Sequence, residues 1–142
     1  FCRGKRGAYL DAELNLIDAR DVAEGMVRAM ERGRPGVRYL LGAENWSVRA
    51  VFDYLAKLTG LPEPRWRVPY PLALAAAYAS EWVADVFTGT IPAATVTGVK
   101  LTRRRMHFDA RRSLAELGLR PRPVAGSIAE AVDWFRETGW LA

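Results

Sequence analysis

Four short runs of strand-like residues, Leu14 to Ile17, Val37 to Leu41, Arg65 to Val68 and Met106 to Phe108, are scattered between longer helical segments. Runs so few, short and separated need some other sheet to complete them. The helical segments are better defined. Asp18 can cap a helix from about Ala19 to Arg32, with Val22, Met26, Ala29 and Met30 at helical spacing and Gly33 and Pro35-Gly36 ending it. Ser47 caps a second helix with Val51, Leu55 and Leu58 on one face, and Gly60 closes it. Pro71 sits in the first turn of a helix from Leu72 to Phe87 that is apolar nearly all round, the pattern of a helix buried or packed on a partner.

A further helix is expected from about Ala93 to Arg105. Asp109 caps another that carries Leu114 and Leu117 and stops at Gly118. Ser127 with Glu130 matches a capping box that opens a last helix with Ile128, Ala131, Val132 and Phe135 in one stripe. Strands alternating with longer helices predict an α/β fold, rich in helix, organised as a single unit over residues 1–142.

At 142 residues the chain can bury one modest core and is too short for two ordinary domains. Its net charge of +5 comes mainly from arginine, which binds planar anions in a forked geometry. Cys2 is the only cysteine, so no internal disulfide can form and a reducing compartment is expected. The Asn45-Trp46-Ser47 sequon stands alone without other signs of secretion. The apolar stretch from Pro71 to Phe87 carries Glu81 and Asp85 and is shorter than the roughly 20 residues of a membrane span. The expectation is a soluble, cytoplasmic protein with no membrane among its partners.

The search for chemistry is largely negative. A dinucleotide site needs a glycine-rich turn between strand and helix, because only glycine lets the backbone approach a pyrophosphate. Gly4-Lys5-Arg6-Gly7 lacks a third glycine and a preceding strand. Tyr54 and Lys57 stand three apart, not the four of a Tyr-x-x-x-Lys pair, on a helix with ordinary amphipathic patterning. One histidine, His107, and one cysteine leave too few ligands for zinc, and His107 is expected to be structural. Lys100, Arg103 and Arg104 share a helix face and could clamp an anion; the alternative is a solvated helix end that complements the dipole. Asn15, a polar residue in the apolar run Leu14 to Ile17, needs a hydrogen-bond partner, either a substrate or a backbone carbonyl.

Several segments together resemble the extended short-chain dehydrogenases/reductases, the NAD-dependent epimerase/dehydratase family. Asn15 through Ala23 is similar to that family's strand-to-helix stretch ending in Asp-Val-Ala. Arg38 to Gly42 with Glu44 to Val48 resembles its strand, turn and capped helix. Glu116-Leu117-Gly118 with Pro121-Arg122-Pro123, and Ile128 to Gly139, resemble its last two helices. Tyr78-Ala79-Ser80-Glu81 and Leu14 to Asp18 are similar to the hopanoid-associated sugar epimerases, also called dihydroflavonol reductase-like.

The resemblance implies the C-terminal, substrate-side portion of a Rossmann-type enzyme, without the N-terminal dinucleotide-binding half. NAD or NADP, and a catalytic tyrosine and lysine, would belong to that missing half, which would be this segment's partner. Asn15, Lys100, Arg103 and Arg104 would contact a sugar-like or hydroxy-ketone substrate, and a homodimer is possible. The chain departs from nucleotide-sugar epimerases in having Glu13-Leu14-Asn15 where they tend to have Arg-Asp, and in lacking an Arg-x-x-Asp set near Gly98 to Thr102. The rival expectation is a small basic α/β module for nucleic acid or assembly, without catalysis.

Overall fold

The computed structural model describes residues 8–84, 95–103 and 107–140. In chain order the elements are β1 (Ala8–Tyr9), β2 (Glu13–Leu16), α1 (Ala19–Arg32), β3 (Glu44–Ser47), α2 (Val48–Thr59), β4 (Trp66–Arg67), α3 (Tyr70–Val83), α4 (Val96–Thr102), α5 (Arg111–Leu117) and α6 (Val124–Glu137). The helix-rich α/β expectation holds. The strands form two separate pairs, β1 parallel to β4 and β2 antiparallel to β3 with Asn15 opposite Asn45.

Local signals place several helix ends where expected. The Asp18 carboxylate accepts the Arg20 amide at 2.8 Å and Ser47 Oγ accepts the Ala50 amide at 3.0 Å. Gly60 and Gly118 end α2 and α5 in the left-handed region, at φ 70° and 65°. Arg28 of α1 donates to the carbonyls of Leu117 and Gly118, so a cation meets the negative end of α5.

Several expectations are corrected. Residues 37–41 form no strand, because no described strand lies beside them; the Leu40 amide instead donates to Ser113 Oγ at 2.9 Å. His107 and Phe108 are likewise unpaired by any strand, while Met106 lies outside the described residues. His107 is exposed, with Nδ1 3.7 Å from a Glu13 carboxylate oxygen. Finally, α6 begins three residues before Ser127. Its first amide, that of Val124, donates to Glu44 Oε1 at 3.0 Å, and Ser127 Oγ donates to Asp18 at 2.6 Å. Asp109 stands one residue ahead of its expected place, since Ala110 is the cap of α5, yet it still accepts the Arg111 amide at 3.0 Å.

The core is built of small side chains. Ala73 and Ala77 of α3 pack on Val96 and Val99 of α4, with Leu10, Val68, Tyr70 and Leu74 around them. Leu117 and Asp21 are the largest fully buried side chains. Met26 and Met30, expected on the inner stripe of α1, are 64% and 81% exposed. The inner face of α1 instead holds Asp21 and Gly25, and a Cβ at Gly25 would lie 2.8 Å from Leu41 Cδ2. The surface, 10269 Å², exceeds the roughly 7300 Å² that a compact monomer of this mass presents.

Carboxylates held by arginine tie the segments together and give the fold a pH dependence. Hydrogen bonds from the Arg111 guanidinium bring Asp109 down to about 2. Arg112 and Arg34 lower Glu116, and Arg20 with Ser127 holds Asp18 well below the usual carboxylate range. A folded-state pKa below the unfolded value, about 3.9 for Asp and 4.3 for Glu, gives stability that is present above the unfolded value and lost on acidification. Thermal unfolding midpoints are therefore expected to fall steadily as the pH drops from about 5 toward 2. In an Asp109→Asn variant the fall should be shallower.

Candidate functional site

A cleft of about 430 Å³ opens where the end of β4, the start of α3 and the end of α4 converge. Leu10, Val68 and Pro69 provide apolar wall, and Asp11, Arg67, Tyr70, Thr102 and Arg103 provide the polar groups. The chain folds into this shape because Pro69 precedes α3 and Pro71 fits its first turn, leaving Tyr70 at the helix start. At its other edge Thr102 Oγ1 donates back to the Val99 carbonyl at 2.7 Å, closing the last turn of α4.

Charge in the cleft is unevenly matched. Arg67 pairs with the Asp11 carboxylate at 3.0 Å, so these two largely cancel. Arg103 stacks its guanidinium over the Tyr70 ring, 4.9 Å from the centroid, and no described carboxylate neutralises it. The aromatic face fixes the arginine's direction while leaving its donors available.

The expected site residues divide between two places. Lys100 and Arg103 both lie along α3, Lys100 with Nζ 5.9 Å from the Tyr78 ring centroid, but only Arg103 lines the cleft. Arg104 lies outside the described residues. Asn15 is elsewhere: its Nδ2 donates to Asn45 Oδ1 at 2.9 Å, and Asn45 in turn holds both the amide and the carbonyl of Phe108 at 3.1 Å. The partner is thus a side-chain amide, neither of the two partners considered from sequence. Sequence reasoning missed Asp11, Arg67 and Tyr70. The alternating polarity of Arg65-Trp66-Arg67 was the only signal for any of them.

Gly42 approaches the Asn15 amide so closely that a Cβ there would lie 2.1 Å from Oδ1. Gly42→Ala must displace that amide and break its bond to Asn45, at a cost of about 1–3 kcal/mol. In an Asn15→Ala background most of that cost should vanish. Urea unfolding of the two single variants and the double variant measures the difference.

A second recess, of about 440 Å³, is lined by Asn45, Trp46, Tyr54 and Lys57 among others. Tyr54 packs edge-on against Trp46 at 5.7 Å, so it serves packing, as its helix pattern suggested. Among the described residues no group of three or more His, Cys, Asp or Glu could hold a metal ion. No described helix is long and apolar enough to cross a membrane.

No family model matches the chain. Among curated proteins it is 39% identical to a putative dihydroflavonol 4-reductase from Synechocystis, over 99% of this chain and 42% of that protein. It is 30% identical to sterol demethylase protein B from Methylococcus capsulatus, over 99% of this chain and 43% of that protein. Among solved structures it superposes on gox2253 with a TM-score of 0.78 at 32% identity. It also superposes on a nucleoside-diphosphate-sugar epimerase from Pseudomonas aeruginosa with a TM-score of 0.74 at 27% identity. These matches cover 99% of this chain and 42% and 41% of the two structures. The chain therefore spans about two fifths of the length of the proteins it matches. Relatives and structural neighbours agree with the ordered motifs of the sequence, and the chain resembles the C-terminal portion of the extended short-chain dehydrogenases/reductases.

Proposed function

We propose that this chain forms the substrate-side wall of an NAD(P)-dependent reductase or epimerase acting on a sugar-like or hydroxy-ketone compound. The cleft with Arg103 stacked on Tyr70 is the observation that carries the reading. Leu10, Val68 and Pro69 offer apolar contact for a ring system, and Arg103 offers a directed cation for a polar or anionic substituent. The bound nicotinamide would supply or accept the hydride. The role of these residues is to bind the substrate, orient it and exclude water.

The charge balance favours the reductase over a nucleotide-sugar enzyme. A nucleoside diphosphate brings at least two negative charges, and the described cleft offers one uncompensated cation. A neutral or singly charged hydroxy-ketone fits that balance better. The names of the reductase and sterol demethylase relatives agree with it, as do the departures from the nucleotide-sugar pattern.

Calorimetric titration of the chain with a dihydroflavonol and with UDP-glucose tests this. The dihydroflavonol is expected to bind, and Arg103→Ala to weaken it about tenfold. Tighter binding of UDP-glucose that ignores Arg103→Ala would overturn the substrate assignment. Measurable NADPH affinity of this chain alone would overturn the proposed division of labour.

A further inference from the structure

Asp11, Arg67 and Arg103 all line the cleft, and strand pairing decides how they meet. β1 and β4 run parallel with Tyr9 opposite Arg67, and the Val68 amide donates to the Tyr9 carbonyl at 3.0 Å. That register sets Arg67 beside the segment that leaves β1, where Leu10 and Asp11 reach the cleft wall. The Asp11 carboxylate then lies 3.0 Å from Arg67 Nη2. Arg103 arrives separately from the end of α4, with its guanidinium over the Tyr70 ring.

Asp11 differs from the carboxylates that hold this fold together. Asp18, Asp21 and Asp109 each accept a backbone amide and so fix the chain locally. Asp11 caps none of the described helices, and among the described residues it pairs with Arg67 and accepts no backbone amide. Both side chains reach water, and an exposed ion pair of this kind stabilises a fold very little. Its consequence lies in its place, on the wall of a cleft of about 430 Å³ that is large enough for a small molecule.

We infer that Asp11 sets the charge selectivity of the cleft: a ligand's first anionic group meets Arg103, while a second finds Arg67 occupied and a carboxylate beside it. The inference rests on the reading of this cleft as the substrate site, and it names the residue that excludes diphosphates from it. A guanidinium offers its forked donors to a carboxylate or to a phosphate, and cannot offer the same pair to both. A ligand phosphate would have to displace Asp11 from Arg67 and then stay next to the displaced negative charge.

Calorimetric titration of the full chain with inorganic pyrophosphate, the bare diphosphate, tests the inference. The unmodified chain is expected to bind it weakly. Asp11→Asn keeps the shape of the side chain and removes its charge, and should bind pyrophosphate about tenfold or more tighter. Adding Arg67→Ala to Asp11→Asn should erase that gain. Glu137→Gln raises the net charge equally from an exposed position on α6 outside the cleft, and should leave pyrophosphate affinity unchanged. The thermal midpoint of Asp11→Asn should stay within about 3 °C of the unmodified chain.

Unchanged affinity in Asp11→Asn, a gain that survives Arg67→Ala, or an equal gain in Glu137→Gln overturns the inference. Unchanged affinity with a clearly lower midpoint would reduce the pair to a strut between β4 and the segment after β1. The substrate reading fails differently. If a dihydroflavonol does not bind but pyrophosphate gains through Arg67, that reading falls and the charge selectivity stands. If a dihydroflavonol binds and pyrophosphate gains nothing, the substrate reading stands and the role of Asp11 falls.

Discussion

Replacing Leu117 with alanine is expected to lower the thermal unfolding midpoint by about 10 °C. The side chain has no exposed surface and ends α5 just before the left-handed Gly118. Leu119, also buried, follows it, and its amide returns to the Leu114 carbonyl at 2.8 Å, so the backbone cannot collapse into the gap. A leucine-to-alanine change at such a site costs about 3 kcal/mol, from lost apolar burial plus the cavity left behind. For a chain of this size each kcal/mol moves the midpoint by roughly 3 °C. Leu117→Met keeps the volume and should cost less than about 1.5 kcal/mol. Calorimetry of the two variants separates cavity formation from any general sensitivity of α5.

The second large effect is expected at Asp21. Its side chain is 2% exposed and accepts both the Arg122 amide at 2.8 Å and the Arg122 Nε at 3.0 Å. It thereby joins the first turn of α1 to the chain just ahead of α6. Loss of one partner from a fully buried ion pair costs 3–5 kcal/mol. Here the Arg122 side chain is 39% exposed and can return to water, so Asp21→Ala should cost about 2 kcal/mol. Asp21→Asn retains an acceptor for the backbone amide and should recover about half of that. Arg122→Ala should be the mildest of the three, because the backbone donor stays paired. Equal losses for Arg122→Ala and Asp21→Ala in denaturant midpoints would show that the guanidinium, rather than the amide, carries the contact.

Features decided within a few residues were legible from sequence. Asp18, Ser47, Gly60 and Gly118 end or open helices where expected, because a cap depends on neighbours two to four residues away. Features decided at a distance were not. The amide at the start of α6 is satisfied by Glu44, 80 residues earlier, which is why the capping-box pattern placed the cap at Ser127, four residues after the actual cap at Pro123. Helical spacing rightly joined Met26 to Met30, but spacing cannot say which apolar stripe is covered. The candidate site divides in the same way. Arg103 stood out as part of a basic run, whereas Asp11, Arg67 and Tyr70 reach the cleft from segments that meet only after folding.

The uncovered residues 37–41 have a consequence for handling the chain by itself. Val37 and Leu40 are exposed, and no described strand pairs with the segment, whose Leu40 amide is held by the Ser113 side chain. An unshielded, β-prone edge is a template on which an identical edge can add, repeating from molecule to molecule. The isolated chain should accordingly lose solubility with concentration along this edge. A lysine in place of Leu40 would act as a gatekeeper against fibril growth.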